Sequence, residues 1–192
     1  MTLGMSDQVP IHRVGGHVAL DFANTVSWRG TPRQFDHIDS VPALMRWAED
    51  AGLIDQSAAA PENGEVFLAR AHRLRAAVRG TFEGAVAGIE ARRDRAALLD
   101  MARECLASAE LTGLPTELRF PSTESAILGA IAWAAIALLS SDRIGRVKIC
   151  EPDSCRWLFL DTTKNGSRRW CDMGACGNRA KVAQHRVRKK TA

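Results

Sequence analysis

Residues 150–176, CEPDSCRWLFLDTTKNGSRRWCDMGAC, hold four of the five cysteines of this 192-residue chain. They form two C-x4-C pairs, Cys150 with Cys155 and Cys171 with Cys176, and 15 residues separate the pairs. This spacing is typical of a tetrahedral zinc site, because each short turn directs two sulfurs toward one ion. We therefore expect one Zn²⁺ per chain. A shell of four thiolates makes that zinc structural, since no position is left for water or substrate.

The residues between the two cysteine pairs predict a β-hairpin. Residues 157–161 (WLFLD) are typical of a strand, residues 146–149 would be its partner, and residues 162–167 form a turn that contains Asn165-Gly166. After Cys176, Gly177-Asn178 predicts a helix cap, and no helix breaker occurs over 179–190. We expect a small zinc-bound module of a β-hairpin plus a helix, treble-clef-like or ribbon-like.

The predicted C-terminal helix has a narrow apolar stripe and a basic half. Ala180, Ala183 and Val187 share one side, and no acidic residue follows Asp172. An ordinary solvated face mixes both signs of charge, so the expected partner is a nucleic acid, and double-stranded DNA first. The predicted nucleic-acid contacts are Arg168, Arg169, Arg179, Lys181, Arg186, Arg188, Lys189 and Lys190.

Charge divides the chain into two regions. Residues 1–142 carry 13 basic and 18 acidic side chains, whereas residues 143–192 carry 13 basic and 4 acidic ones, so the net charges are −5 and +9. Such an asymmetry indicates two regions with different roles. We expect a helical domain over 1–142 and the zinc finger over 143–192, with a short joint near residues 140–145.

The N-terminal region is predicted to be a helical bundle, so that the whole chain is mainly α. One helix begins after Asp39 or Ser40 and ends at Gly52, and another contains Cys105 as a small core residue. Residues 126–139 are apolar on nearly every face and are expected at the centre of the bundle, whereas residues 117–120 look extended. A long amphipathic helix is expected from Glu65, with four arginines mainly off its apolar stripe. The stripe is Phe67, Ala71, Leu74, Val78, Phe82, Ala85 and Ile89, and the arginines are Arg70, Arg73, Arg75 and Arg79.

Residues 14–28, VGGHVALDFANTVSW, fit both a strand and a helix, and we favour the helix. On a helix Asp21 and Asn24 are one turn apart and share a face. Most buried polar groups are simply hydrogen-bonded, so the favoured interpretation is a polar pair that ties the N-terminus to the bundle. The alternative is that Asp21 and Asn24 bind a small-molecule ligand.

The composition, 46% apolar and 25% charged residues, indicates a globular protein with a hydrophobic core. The first ten residues lack the apolar run of a signal peptide, and the longest apolar stretch has 14 residues, where a membrane span needs about 20. We therefore expect a cytoplasmic protein with reduced cysteines and no membrane contact. The sequence also predicts that it is not an enzyme, because neither a Ser/His/Asp order, a phosphate loop nor an open metal position can be identified.

Residues 170–179, WCDMGACGNR, resemble the CGNR zinc finger, a module named after Cys176, Gly177, Asn178 and Arg179. The resemblance extends back through residues 167–169 and 158–161 to the first cysteine pair, over about the last 45 residues. In that family the finger follows an alanine-rich helical domain called ABATE, described as a stress-induced transcription regulator. Residues 20–25 after Gly15-Gly16 are similar to the opening motif of that domain, with Ala23 in place of a larger apolar residue. The resemblance implies DNA binding and transcriptional control.

Three functions are compatible with these patterns. The first is a regulator whose finger binds DNA and whose helical domain senses a ligand or forms a homodimer. The second is an RNA-binding zinc module in which Trp157 or Trp170 stacks on unpaired bases. The third is a protein-interaction adaptor in which the zinc finger is only a scaffold.

Overall fold

The computed structural model describes residues 13–182 and residue 189. About 51% of these described residues are helical, which confirms the mainly α prediction. The strands form two-stranded antiparallel sheets, in which β1 pairs with β2, β3 with β4 and β5 with β6. The helices before the cysteine cluster are α1 (Val18–Ala23), α2 (Val41–Asp50), α3 (Gly64–Ala87), α4 (Arg92–Leu106) and α5 (Thr123–Leu139). The strands are β1 (Val26–Ser27), β2 (Phe35–Asp36), β3 (Glu110–Thr112), β4 (Glu117–Arg119), β5 (Val147–Ile149) and β6 (Leu158–Leu160).

Capping residues mark the ends of helices α2 and α3, and Ser40 is the cap that the sequence predicts for α2. The Ser40 side chain accepts a hydrogen bond from the Ala43 amide at the start of α2. Asn63 caps α3 in the same way, and Gly88 ends that helix in the left-handed conformation, with φ 68°, which glycine adopts without a steric penalty. The predicted stripe of α3 is buried from Phe67 to Phe82. Its last residue, Ile89, differs from the prediction, because the helix ends at Ala87 and Ile89 is 66% exposed.

Helix α5 packs against α4, α1 and α3, in agreement with its predicted central position. Its N-terminus is a capping box of Ser122 and Ser125, and residues from Ile127 to Leu138 line the core. The helix is predicted to be buried on nearly every face, but the face that carries Trp133 differs, since Trp133 is 50% exposed. Within residues 13–182 and 189, no helix combines the length and the apolar character needed to cross a membrane.

Two arginines of α3 lie inside the protein, although the sequence places them mainly off the apolar stripe. Arg75 and Arg79 are 7% and 3% exposed. Arg75 makes two hydrogen bonds of 2.6 Å to the Asp36 carboxylate, and Arg79 pairs with Glu83 at 2.6 Å. Each guanidinium has an anionic partner and one further oxygen acceptor, although Arg79 Nε and Nη1 are buried without a hydrogen-bond partner. The apolar pattern of one helix does not reveal these partners.

The segment 14–28 is helical only in its middle. Helix α1 ends at Ala23, and the chain then turns into the short β1–β2 pair. Thr25 promotes this change, since its hydroxyl bonds to the Phe22 carbonyl at 2.8 Å while its own carbonyl accepts the His37 amide. The helix prediction is therefore wrong for residues 14–17 and 24–28.

The zinc-finger hairpin shares a core with the helical region. Val147, Leu158 and Leu160 of the β5–β6 hairpin belong to the same buried cluster as helices α1 to α5. A short 3₁₀ helix, Asp142–Arg146, joins α5 to β5 at the expected place. The division at residue 142 stays a prediction, but the two regions are packed together rather than connected by a loose tether.

Candidate metal centre and nucleic-acid interface

The zinc-finger hairpin holds the first cysteine pair. Cys150 follows β5, and its amide donates to the Trp157 carbonyl at 2.8 Å; the Cys155 amide donates to the Pro152 carbonyl, also at 2.8 Å. These bonds close the loop 150–157 and turn both sulfurs inward. Strands β5 and β6 pair in antiparallel fashion, with Val147 opposite Leu160, and form the hairpin that the sequence predicts.

The second cysteine pair lies at the start of the C-terminal helix. Cys171 precedes a π-helical turn, Met173–Gly177, that contains Cys176 and continues as an α-helix over 178–182. The Asp172 carboxylate caps this turn by accepting the Ala175 amide at 2.8 Å. A hairpin followed by a helix agrees with the predicted zinc-bound module.

The four sulfurs have the spacing of a tetrahedral zinc site. All four Sγ atoms lie within 4.8 Å of one another, and all four cysteines are buried. Cys171 Sγ lies 3.7 Å from both Cys155 Sγ and Cys176 Sγ. A zinc ion with Zn–S bonds of about 2.3 Å places its sulfurs about 3.8 Å apart. Cys150, Cys155, Cys171 and Cys176 therefore fit one structural zinc, as the sequence predicts.

A cation and a backbone amide donate to the sulfur cluster, whose four thiolates around Zn²⁺ carry a net charge of −2. Arg179 Nη2 lies 3.0 Å from Cys176 Sγ, and the Cys171 amide donates to Cys150 Sγ at 3.3 Å. Burial lowers the pKa of Arg179, but the hydrogen bond to Cys176 and the nearby sulfurs outweigh it and raise that pKa. The Arg179 guanidinium also lies 4.9 Å from the centre of the Trp28 ring.

The Asp161 carboxylate organises the loop between the two cysteine pairs. It accepts hydrogen bonds from Lys148 Nζ at 2.8 Å, from the hydroxyl and amide of Thr163 at 2.6 and 3.0 Å, and from the Arg168 amide at 2.9 Å. Burial alone would raise the pKa of Asp161, but these donors, Lys148 foremost, hold it well below its usual range. Sequence reasoning placed Asp161 at the end of a strand and missed this role.

Asp21 and Asn24, the predicted ligand pair, are both hydrogen-bonded to the protein backbone. The Asp21 carboxylate accepts the Gly15 amide at 2.7 Å, and burial raises its pKa to about 6. Asn24 exchanges two hydrogen bonds with Leu158 of β6, its Nδ2 donating at 2.8 Å and its Oδ1 accepting at 2.9 Å. These partners favour the structural interpretation, with the difference that Asn24 ties the N-terminus to the finger. Ligand binding by the pair stays a prediction.

Three of the predicted nucleic-acid contacts have partners within the protein. Arg168 donates to the carbonyls of Trp170 and Cys171, Arg169 forms a bidentate pair with Glu151 at 2.5 and 2.7 Å, and Arg179 is bonded to Cys176. Lys181 and Lys189 are exposed. The predictions for Arg186, Arg188 and Lys190 lie outside the described residues.

Sequence reasoning missed the contact between Arg79 and Arg156 at the junction of the helical region and the finger. Arg79 Nη2 donates to the Arg156 carbonyl at 2.7 Å, and Arg156 has a left-handed backbone, with φ 56°. No sequence signal marks a left-handed arginine. The burial of Cys105, by contrast, agrees with its predicted place in an apolar stripe, and burial raises the pKa of its thiol.

Comparison with known families covers most of the chain. The model of the family ABATE, described as "Putative stress-induced transcription regulator", matches residues 16–142. The model of the CGNR zinc finger matches residues 146–189. No curated protein matches the chain.

Proposed function

This chain belongs to the ABATE family and carries a CGNR zinc finger, and from that premise we propose that it is a transcriptional regulator whose finger binds double-stranded DNA. The observation that carries the proposal is the surplus of nine positive charges in residues 143–192, next to an acidic helical region. DNA binds such a surface tightly, because binding releases the counterions that are condensed on its phosphates.

The contacts of three of the four acidic side chains in the finger support this proposal, whereas the fourth, Asp153, is exposed. Asp161 is buried against Lys148, Glu151 pairs with Arg169, and Asp172 caps the helical turn at Cys176. The exposed cations Lys164, Lys181 and Lys189 are available to phosphates. DNA backbones are contacted chiefly by such lysine and arginine side chains.

The helical region has two roles in this proposal. It holds the finger in place through Asn24 and Arg79, and it would sense a small-molecule effector or form a homodimer. Sedimentation of the zinc-loaded protein tests the dimer, and thermal stabilisation by added metabolites tests the effector.

The proposed regulator is not an enzyme, and it acts in the cytoplasm, where reducing conditions keep the thiols available to zinc.

RNA binding through stacked tryptophans has less support. Trp157 donates its indole N–H to the Val26 carbonyl at 3.1 Å and packs against the cysteine cluster. Trp170 packs against the same cluster, with the Arg169 guanidinium 5.1 Å from its ring centre. Rings held by such contacts are poorly placed to stack on splayed bases.

An adaptor function predicts no salt-dependent affinity for nucleic acid.

The proposal is tested by selecting bound sequences from random duplex DNA with the full-length, zinc-loaded protein. Changing both Lys181 and Lys189 to Glu should abolish binding and leave the zinc content unchanged, since neither residue is a ligand. The matched control changes Arg93 and Arg95 to Glu on the exposed side of α4 and should bind as the wild type does. Equal binding by both variants, or a preference for structured RNA, would contradict the proposal.

A further inference from the structure

An open groove of about 470 Å³ runs between the C-terminal end of α3 and the loop of the first cysteine pair. Apolar residues of α3 and β5 contribute to its lining, together with four cations and one acidic side chain. The cations are Lys148, Arg156, Arg168 and Arg169, and the acidic residue is Glu151. The groove is therefore a cationic surface shared by the helical region and the finger.

Three of these cations have partners inside the finger. Lys148 bonds to Asp161 and to the Arg168 carbonyl, Arg168 to two carbonyl groups, and Arg169 to Glu151. The Arg156 guanidinium is exposed and makes no hydrogen bond or ion pair with any other residue that the structure describes. It is thus the groove cation that can bind an external anion without breaking an internal contact.

The backbone of Arg156 is held in a conformation that an arginine adopts reluctantly. Its φ of 56° lies in the left-handed region, which favours glycine. Two contacts maintain it: its carbonyl accepts Arg79 Nη2 at 2.7 Å, and its amide donates to the Pro152 carbonyl at 3.2 Å. Since a glycine would relieve this strain, the side chain at position 156 needs an explanation other than the fold.

We propose that Arg156 binds a backbone phosphate of double-stranded DNA that enters this groove, so that the helical region forms one wall of the DNA site. This inference rests on the proposed function and adds to it a contact site that the C-terminal helix does not include. The occupant is a polyanion because the free guanidinium lies in a groove whose net charge is positive. A guanidinium binds phosphate through two parallel N–H donors, and the exposed Arg156 side chain has these donors available.

The decisive variant is Arg156→Gly, because it removes the side chain and relaxes the backbone together. It should keep its zinc and unfold at the same or a higher denaturant concentration than the wild type. Its affinity for a mixed-sequence 24-base-pair duplex should fall about tenfold, and its salt slope should become shallower by about one. Arg156→Lys, which keeps the charge, should recover some of the affinity. Arg93→Ala on α4 is the matched control and should bind as the wild type does.

The outcomes separate the inference from the proposed function. If the wild type shows no affinity for duplex DNA, the proposed function itself fails. If the wild type binds and Arg156→Gly binds equally well, the groove contact alone is overturned. It is also overturned if Arg156→Gly loses zinc or stability, since Arg156 would then serve the fold, or if this variant weakens binding to structured RNA only.

Discussion

Asn24 and Leu158, 134 residues apart in the chain, exchange two buried hydrogen bonds that join the N-terminal segment to β6 of the zinc-finger hairpin. The Asn24 amide thereby completes the edge of β6, where the Leu158 N–H and carbonyl would otherwise lie buried without partners. The same segment reaches the finger again through the Leu160 amide, which donates to the Gly15 carbonyl at 2.8 Å. The finger is thus built onto the helical region.

Asn24→Ala should destabilise the protein by about 2–4 kcal/mol, because it leaves two buried backbone groups of Leu158 unsatisfied. Urea unfolding at neutral pH measures this loss. Asn165→Ala, in the exposed turn of the finger, is the matched control and should change stability by less than about 0.5 kcal/mol. Equal stability of the two variants would show that the link between Asn24 and β6 contributes nothing.

Asp161→Asn should lower stability by about 3 kcal/mol at pH 7, because an amide cannot accept from all the donors that surround the carboxylate. The pKa of Asp161 is lowered in the folded protein, so its contribution is complete above the ordinary Asp pKa of about 4 and is lost as the pH falls below it. The difference between wild type and variant should therefore be the same at pH 7 and pH 5.5. A matched Asp153→Asn variant in the exposed cysteine loop should stay close to the wild type.

Asp21 should show the opposite pH dependence. Its folded pKa is raised to about 6 by burial, so the folded protein binds the proton more tightly than the unfolded chain. The stabilising effect of the protonated carboxyl is complete below about pH 4, declines as the pH rises, and is lost above the folded pKa. Asp21→Asn should therefore stabilise the protein by about 2 kcal/mol at pH 7.5, by about half as much at pH 5, and by almost nothing below about pH 3. A gain that does not change with pH would contradict this account.

Removal of zinc should disorder the finger and leave most of the helix content. Cys176→Ser should lose its zinc and change the fluorescence of Trp157 and Trp170, which pack against the cysteine cluster. Far-UV circular dichroism should change little, because the buried core that the β5–β6 hairpin shares with the helical region consists mainly of residues from α1 to α5. Cys105→Ala, which alters the fifth cysteine in that core, should retain one zinc per chain. Zinc retained by Cys176→Ser would contradict the four-sulfur site.

The metal site and the main helices follow from local patterns. Paired cysteines need only short turns to aim their sulfurs, and the caps at Ser40, Asn63 and Ser122 act within one helical turn. The burial of Arg75 and Arg79 cannot be predicted from the pattern of helix α3, because Arg75 bonds to Asp36 and Arg79 to Arg156, which other parts of the fold bring close. The same holds for Arg168, which looks free in sequence but is bonded to nearby carbonyls once the finger folds.

The salt dependence of DNA affinity tests the central claim most directly, namely that the zinc finger binds duplex DNA through its cations. The full-length, zinc-loaded protein is titrated with one duplex over a series of salt concentrations. If four to six phosphates are contacted, the logarithm of the association constant should fall with the logarithm of salt with a slope of about −4 to −5. Binding that is absent, or that does not change with salt, would contradict the account.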